Sequence, residues 1–219
     1  MRDNGIIVCI KENNTVKTIY IVLSSGNSFP KKVFRTLTDC RFDHVAVSFN
    51  ERLPIMYSFA KSQLDVALVG GFAVEYPSRY IAEGGDIPIK VFAVEASDEE
   101  YMRVREVIRR IMTHPQRYTY NVYDKALSVF GGSFELKRSY TDLSFVCRLL
   151  RLGDIRSIKE LEFVLEPYLY YEGSMNDIIL GVDDRHGAEY FKKVNPAEAA
   201  LRTAFYSTKL LCRKVYESI

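Results

Sequence analysis

Four cysteines and three histidines are the residues with which this chain could carry out nucleophilic or metal chemistry. Cys9, Cys40, Cys147 and Cys212 stand apart with no Cys-x-x-Cys pair, and His44, His114 and His186 fall at neither zinc-finger nor His-Glu-x-x-His spacing. That pattern predicts reduced thiols, no bound metal and no cofactor. A chain of 219 residues can bury a core without disulfide staples. Cys40 precedes His44 closely, but a thiol and an imidazole without further ligands do not make a metal site. The pairs Gly70-Gly71 and Gly131-Gly132 read as turns, because neither occurs in a Gly-x-x-x-x-Gly-Lys or Gly-x-Gly-x-x-Gly context that would cradle phosphate. Tyr118 to Tyr123 and Tyr168 to Tyr171 offer stacking area with polar tips, as an aromatic binding groove would. Neither segment interleaves Lys or Arg, so packing is the first reading and a single-strand nucleic-acid platform is not supported.

The elements that must position these groups can be read from pattern. Lys17 to Leu23 is β-branched and aromatic and ends at Ser24-Ser-Gly-Asn-Ser28, which predicts a buried strand and a turn. Pro30 opens a short helix, roughly 30 to 38. His44 to Phe49 alternates as a half-buried strand, turning at Asn50 to Pro54 into a second strand from Ile55 to Phe59, a hairpin. Phe72 to Glu75 is a short strand candidate, and Ile87 to Glu95 is the strongest strand, with Pro88 placing its start near an edge or a bend. Ser97-Asp-Glu-Glu100 reads as a capping box before a helix near 98 to 114, whose cluster from Arg103 to Arg110 is its solvated face. Shorter helices are expected over 121 to 130, ending at Gly131-Gly132, and over 142 to 152, ending at Gly153. A long helix from about Pro196 to Tyr216 follows, with Asn195 as its cap. Strand-rich and helix-rich stretches are segregated, which argues an α+β fold.

Four of these stretches together carry a resemblance: Asp43-His44-Val-Ala-Val-Ser-Phe, Met56-Tyr-Ser-Phe-Ala60, Gly70-Gly-Phe-Ala-Val-Glu75 and Tyr140-Thr-Asp-Leu-Ser-Phe-Val-Cys-Arg-Leu-Leu150. They resemble the NlpC-type cell-wall cysteine hydrolase superfamily in its circularly permuted papain-like (YiiX-like) branch. The resemblance runs over about residues 17 to 172, where Leu165 to Gly173 is similar to the closing strand of these domains. It implies an antiparallel sheet packed on helices, a histidine leading the strand pair, and a later Tyr-x-Cys-Ser-x-Phe-Val-Ala pattern whose cysteine opens a helix. A helix N-terminus lowers a thiol pKa, and a facing imidazole stabilises the thiolate and returns a proton. His44 falls on the family's histidine, and Tyr140, Phe145 and Val146 keep the pattern, but the nucleophile position holds Asp142, with Leu143 in place of the serine and Cys147 in place of the small alanine. A carboxylate there is comfortable as a helix cap but is a poor replacement for a thiolate. It could instead pair with His44. Cys147 follows about 140° around the helix from Asp142 and points elsewhere. The third polar residue, which in this superfamily orients the imidazole, is open between Ser58 and Glu75.

The composition limits what else the chain does. With 30 Lys and Arg against 28 Asp and Glu, the formal charge of +2 supplies no global field for nucleic acid. No apolar run is long enough to span a membrane, and Met1-Arg-Asp-Asn-Gly lacks the features of a signal peptide, so a cytoplasmic protein is expected. The organisation read from sequence is an N-terminal arm (1–14), a permuted papain-like domain (15–172) and a helical extension (173–219). The expected function is a hydrolase-derived protein that binds a small-molecule, peptide or lipid ligand, or a partner, in a cleft around His44 and Asp142, with Ser58, Glu75 and Tyr140 as further candidates. The alternatives are an active thiol hydrolase or acyltransferase on amides or esters, and an assembly protein whose C-terminal helix, residues 196–219, makes a dimer or partner contact.

Overall fold

A computed structural model of the chain describes residues 17–26, 36–37, 39–63, 65–81, 87–128, 130–178, 190 and 192–218. The arm at 1–14, with Cys9, and most of the helix expected over 30 to 38 lie outside the described residues. The core element is an antiparallel sheet of six strands, ordered β4-β3-β2-β1-β5-β8. Its strands are β1 (Lys17–Ser24), β2 (His44–Ser48), β3 (Met56–Gln63), β4 (Val66–Glu75), β5 (Pro88–Ala96) and β8 (Leu169–Ser174). The short pair β6 (Thr119–Tyr120) and β7 (Ser139–Tyr140) is parallel. The helices are α1 (Pro77–Ile81), α2 (Asp98–Thr113), α3 (Val122–Ser128), α4 (Asp142–Leu150), α5 (Ile158–Leu165), α6 (Met175–Ile178) and α7 (Pro196–Ser218). The expected α+β class and antiparallel sheet are present.

Strand alternation divides the apolar residues between two faces. Ile19, Ile21, Leu23, Val45, Val47 and Phe59 face Val104 and Ile108 of α2, Phe145 and Val146 of α4, and Leu161 and Leu165 of α5 in the larger core. Val22, Ala46, Met56, Ile89 and Val91 face the other way, against Tyr80 of α1 and Met175 of α6. Fully burying one such Ile, Leu or Phe contributes roughly 1.5–3 kcal/mol, so these two layers hold the sheet that carries the site.

Several local expectations are corrected. Gly70 and Gly71 lie inside β4 rather than in a turn, paired with Lys61 and Ala60. A Cβ on Gly70 would stand 2.2 Å from the Ala60 carbonyl oxygen, so the glycine there permits close backbone approach. Strand β5 is internal, paired with β1 on one side and β8 on the other, and tolerates Pro88 because it is the first residue. Only half of the capping box on α2 forms: the Glu100 amide donates to Ser97 Oγ at 3.2 Å, while the Glu100 carboxylate takes Arg103 instead of reaching back. The long α7 packs along β4, burying Tyr206 and Leu210. The Tyr206 hydroxyl donates to the carbonyls of Gly70 at 2.6 Å and Tyr120 at 3.0 Å.

Candidate functional site

His44 opens β2 and pairs with Ser24 at the end of β1. By alternation it shares a sheet face with Ala46, and Glu75, the last residue of β4, stands on the same side, opposite Met56. Asp142 arrives from another direction, as the first residue of α4. The helix is capped by Thr141, not by Asp142: the Ser144 amide donates to Thr141 Oγ1 at 3.0 Å and the Thr141 amide donates to Ser144 Oγ at 2.9 Å. With capping done by its neighbours, the Asp142 carboxylate is free to turn onto β2, where its Oδ2 accepts the Val45 amide at 3.3 Å.

The imidazole lies between the two carboxylates. His44 Nδ1 is 3.0 Å from Asp142 Oδ2, and Nε2 is 3.0 and 3.1 Å from the two oxygens of Glu75. Each carboxylate has a cation on its far side. Lys125 Nζ, from α3, donates to Asp142 Oδ2 at 2.7 Å and Oδ1 at 2.9 Å and to the Asp43 carbonyl at 2.8 Å. Arg79, from α1, stands 3.6 Å from Glu75 Oε1. The hydroxyls of Ser58 and Tyr80 donate to Glu75 Oε1 and Oε2. The site is thus an alternating row, Lys125 and Asp142, then His44, then Glu75 and Arg79, in which the carboxylates are fully buried and the His44 side chain keeps 12% exposure.

The row fixes the protonation of its members. Burial alone would lower the His44 pKa, but the Glu75 charge and the hydrogen bonds that the ring donates to both carboxylates outweigh it and carry it up to about 9. Burial would likewise raise the two carboxyls; Arg79 and His44 hold Glu75 well below the usual carboxylate range, and Lys125 and His44 do the same for Asp142. Lys125, penalised by burial, is kept charged by Asp142. At neutral pH His44 is therefore an imidazolium donating from both nitrogens. It has no lone pair with which to accept a proton, and general-base chemistry needs one.

Of the residues singled out from sequence, His44, Asp142, Glu75 and Ser58 converge. Glu75 contacts the imidazole directly and Ser58 acts through Glu75, so both belong to the site in different places. Tyr140 makes no contact with the imidazole or its carboxylates, its ring packing edge-on against Phe59 at 5.1 Å and stacking with Tyr118 at 6.5 Å, but it lines the groove that Asp142 and Lys125 also border. The other tyrosines are similarly engaged, Tyr120 in the core, Tyr123 against Phe134, and Tyr170 against Tyr20. Sequence reasoning missed Lys125, Arg79 and Tyr80. Arg79 carried one signal, its i,i+4 spacing from Glu75, whereas Lys125 reaches Asp142 only through the packing of α3 beside α4.

No described cysteine has the setting of a nucleophile. Cys147 is buried in the larger core and burial pushes its thiol up to about 12; burial raises Cys40 too. Among the described residues no cluster of His, Cys, Asp and Glu could hold a metal ion, and no helix is long and apolar enough to cross a membrane.

Beside the row, a groove of about 1000 Å³ runs along α3, the 131–138 loop, α4 and the start of α5, with Lys125 and Asp142 in its wall. The chain matches no family model, no curated protein and no solved structure.

Proposed function

We propose that the chain is a permuted papain-like domain, derived from cysteine hydrolases, that has lost its nucleophile and binds a ligand or partner in the former catalytic cleft. The observation that carries this reading is His44, held at 3.0 Å from Asp142 on one nitrogen and from Glu75 on the other. In a thiol hydrolase one of those nitrogens must face the nucleophile. Here an anion with no attacking thiol occupies that place, and Lys125 neutralises it. What was a reactive pair becomes a charge-paired row, of which Lys125 and Asp142, but not His44 or Glu75, line a groove of ligand size.

The competing enzyme reading, a thiol hydrolase or acyltransferase on amides or esters, requires a cysteine whose reactivity depends on His44. Iodoacetamide labelling of the native protein at about pH 6, where an ordinary thiol is mostly protonated, separates the two when read cysteine by cysteine in wild type and His44→Ala. Slow labelling throughout, indifferent to His44, is expected. One fast cysteine that slows without His44 would overturn the proposal.

A second reading, association of copies through 196–219, has one observation in its favour. Leu201, Phe205, Val215 and Tyr216 of α7 are 63–81% exposed along the side opposite Tyr206 and Leu210. Size-exclusion chromatography with light scattering tests it: a monomer at all concentrations rules it out, and a dimer lost in Phe205→Glu supports it.

A further inference from the structure

Many surface cations among the described residues have a carboxylate partner. Lys17 pairs with Asp98, Arg103 with Glu100, Arg109 with Glu106, Lys159 with Asp39, Arg202 with Glu198 and Arg213 with Glu217. Other exposed cations, Arg52, Arg105 and Arg117 among them, also make no ion pair among the described residues, but four such arginines line one groove, the one beside the candidate site: Arg138, Arg148, Arg151 and Arg156. All are exposed, and none makes an ion pair among the described residues. Arg148 rests 5.7 Å from the centre of the Tyr140 ring, and Arg151 stands in the field of Glu100.

The carboxylates of the same groove do not cancel them. Asp142 is neutralised by Lys125 and His44, and Asp124 accepts the Phe134 amide at 2.8 Å. Glu135 and Asp154 are the remaining anions of the lining. Two helices, α4 and α5, begin in this groove, and their N-terminal dipoles add to a positive potential there. Two of the arginines are presented by unusual backbone: Arg138 at φ 54° precedes β7 and Arg151 at φ 57° ends α4, both in the left-handed region that non-glycine residues seldom occupy. Four guanidinium groups without an ion pair along one concavity raise its positive potential, which favours an anion there.

We infer that this groove binds a small ligand bearing several phosphate-type charges, gripped by Arg138, Arg148, Arg151 and Arg156. Arginine favours such oxyanions because its planar fork donates two parallel hydrogen bonds to one phosphate. The groove's volume suits a small molecule. A nucleic-acid strand needs free aromatic faces for its bases, and the nearest ring, Tyr140, is already packed against Phe59, Tyr118 and Arg148. The inference rests on the cleft-binding reading and names the ligand class of that cleft.

The test is calorimetric titration of the full chain with inorganic pyrophosphate, in wild type, Arg148→Ala, Arg151→Ala, Arg156→Ala and the surface control Arg109→Ala. The expected result is saturable binding that weakens with added salt and falls about tenfold for each groove arginine removed, with Arg109→Ala unchanged. Since the four side chains are exposed, urea midpoints should be equal across the set, which excludes unfolding as the cause. No saturable binding at about 1 mM pyrophosphate, or equal losses in Arg109→Ala, would overturn the inference. Tighter binding of oligothymidylate than of pyrophosphate would overturn it in favour of a strand-binding surface. The labelling experiment is independent: a His44-dependent reactive thiol removes the non-catalytic reading of the cleft but leaves an arginine-dependent pyrophosphate site intact, and the reverse outcome removes only the anion.

Discussion

Replacing Asp142 by asparagine keeps the size of the side chain and removes the charge on which three elements converge. The carboxylate receives Lys125 at 2.7 and 2.9 Å, His44 at 3.0 Å and the Val45 amide at 3.3 Å. Asparagine offers one oxygen to these donors and turns an NH2 group toward the rest. Lys125, whose side chain is 19% exposed, then loses its counter-ion, and the imidazolium keeps only Glu75. Removing one partner of a buried pair costs about 3–5 kcal/mol, and the partial exposure of Lys125 places this case near the lower end, about 3 kcal/mol. In a protein of this length that lowers Tm by roughly 6–12 °C. Urea denaturation followed by circular dichroism at pH 7 measures it. Lys125→Met made alone and together with Asp142→Asn supplies the coupling, expected to exceed about 1 kcal/mol because either change alone already breaks the row. A loss below about 1 kcal/mol for Asp142→Asn, with strictly additive effects in the double variant, would show that the pair is a solvent-screened contact and would refute the reasoning.

Stability should depend on pH on both sides of a plateau. His44, raised from its ordinary 6.5 to about 9, adds stability that is complete below about pH 6.5 and is lost as pH rises through 9, a contribution of about 3 kcal/mol; Glu75 and Asp142, lowered from 4.5 and 3.8, add stability above those values that is lost as pH falls. Urea midpoints measured from acid to alkaline pH should therefore peak between about pH 5 and 6.5, with the alkaline decline much reduced in His44→Gln; a level profile between pH 6 and 10 would count against the imidazolium. Asp142→Cys with Leu143→Ser places a thiol at the start of α4 beside His44 and Lys125, and it should react with iodoacetamide at pH 6 on the order of 100-fold faster than an ordinary cysteine; labelling no faster than that of the exposed Cys212 would mean the cleft does not support a thiolate. Gly70→Ala drives a methyl group into the Ala60 carbonyl and should destabilise the β3–β4 pair by about 1–3 kcal/mol in the same urea assay, whereas Gly131→Ala, with open space around it, bears only its backbone strain.

Strands β1, β2, β3 and β5 were legible because their alternation and β-branched residues report directly on which side is buried. Helix α5 was not identified, although Ser157 and Glu160 carry a capping signal and Ile158, Leu161 and Leu165 recur at helical spacing; the short segment follows Gly153 and lies close to Pro167, which obscured it. The glycine pair in β4 misled because glycine most often marks turns, while here it serves a close approach between strands that only the register reveals. For the site, the motif placed His44 and Asp142 together and left Ser58 and Glu75 open, and the geometry gives each its own position. Lys125 could not be found without the fold, since nothing in one helix indicates which carboxylate another helix will present to it. That lysine helps to keep Asp142 charged, while the charge of His44 rests first on Glu75 and then on Asp142.

The account turns on that state, and ¹⁵N NMR of the imidazole in protein labelled at histidine reads it directly. The account predicts that His44 carries protons on both nitrogens at pH 7.5 and titrates with a midpoint near 9. A neutral ring at pH 7.5, with one unprotonated nitrogen and a midpoint near the ordinary 6.5, would contradict it, because His44 would then have a lone pair with which to act as a base.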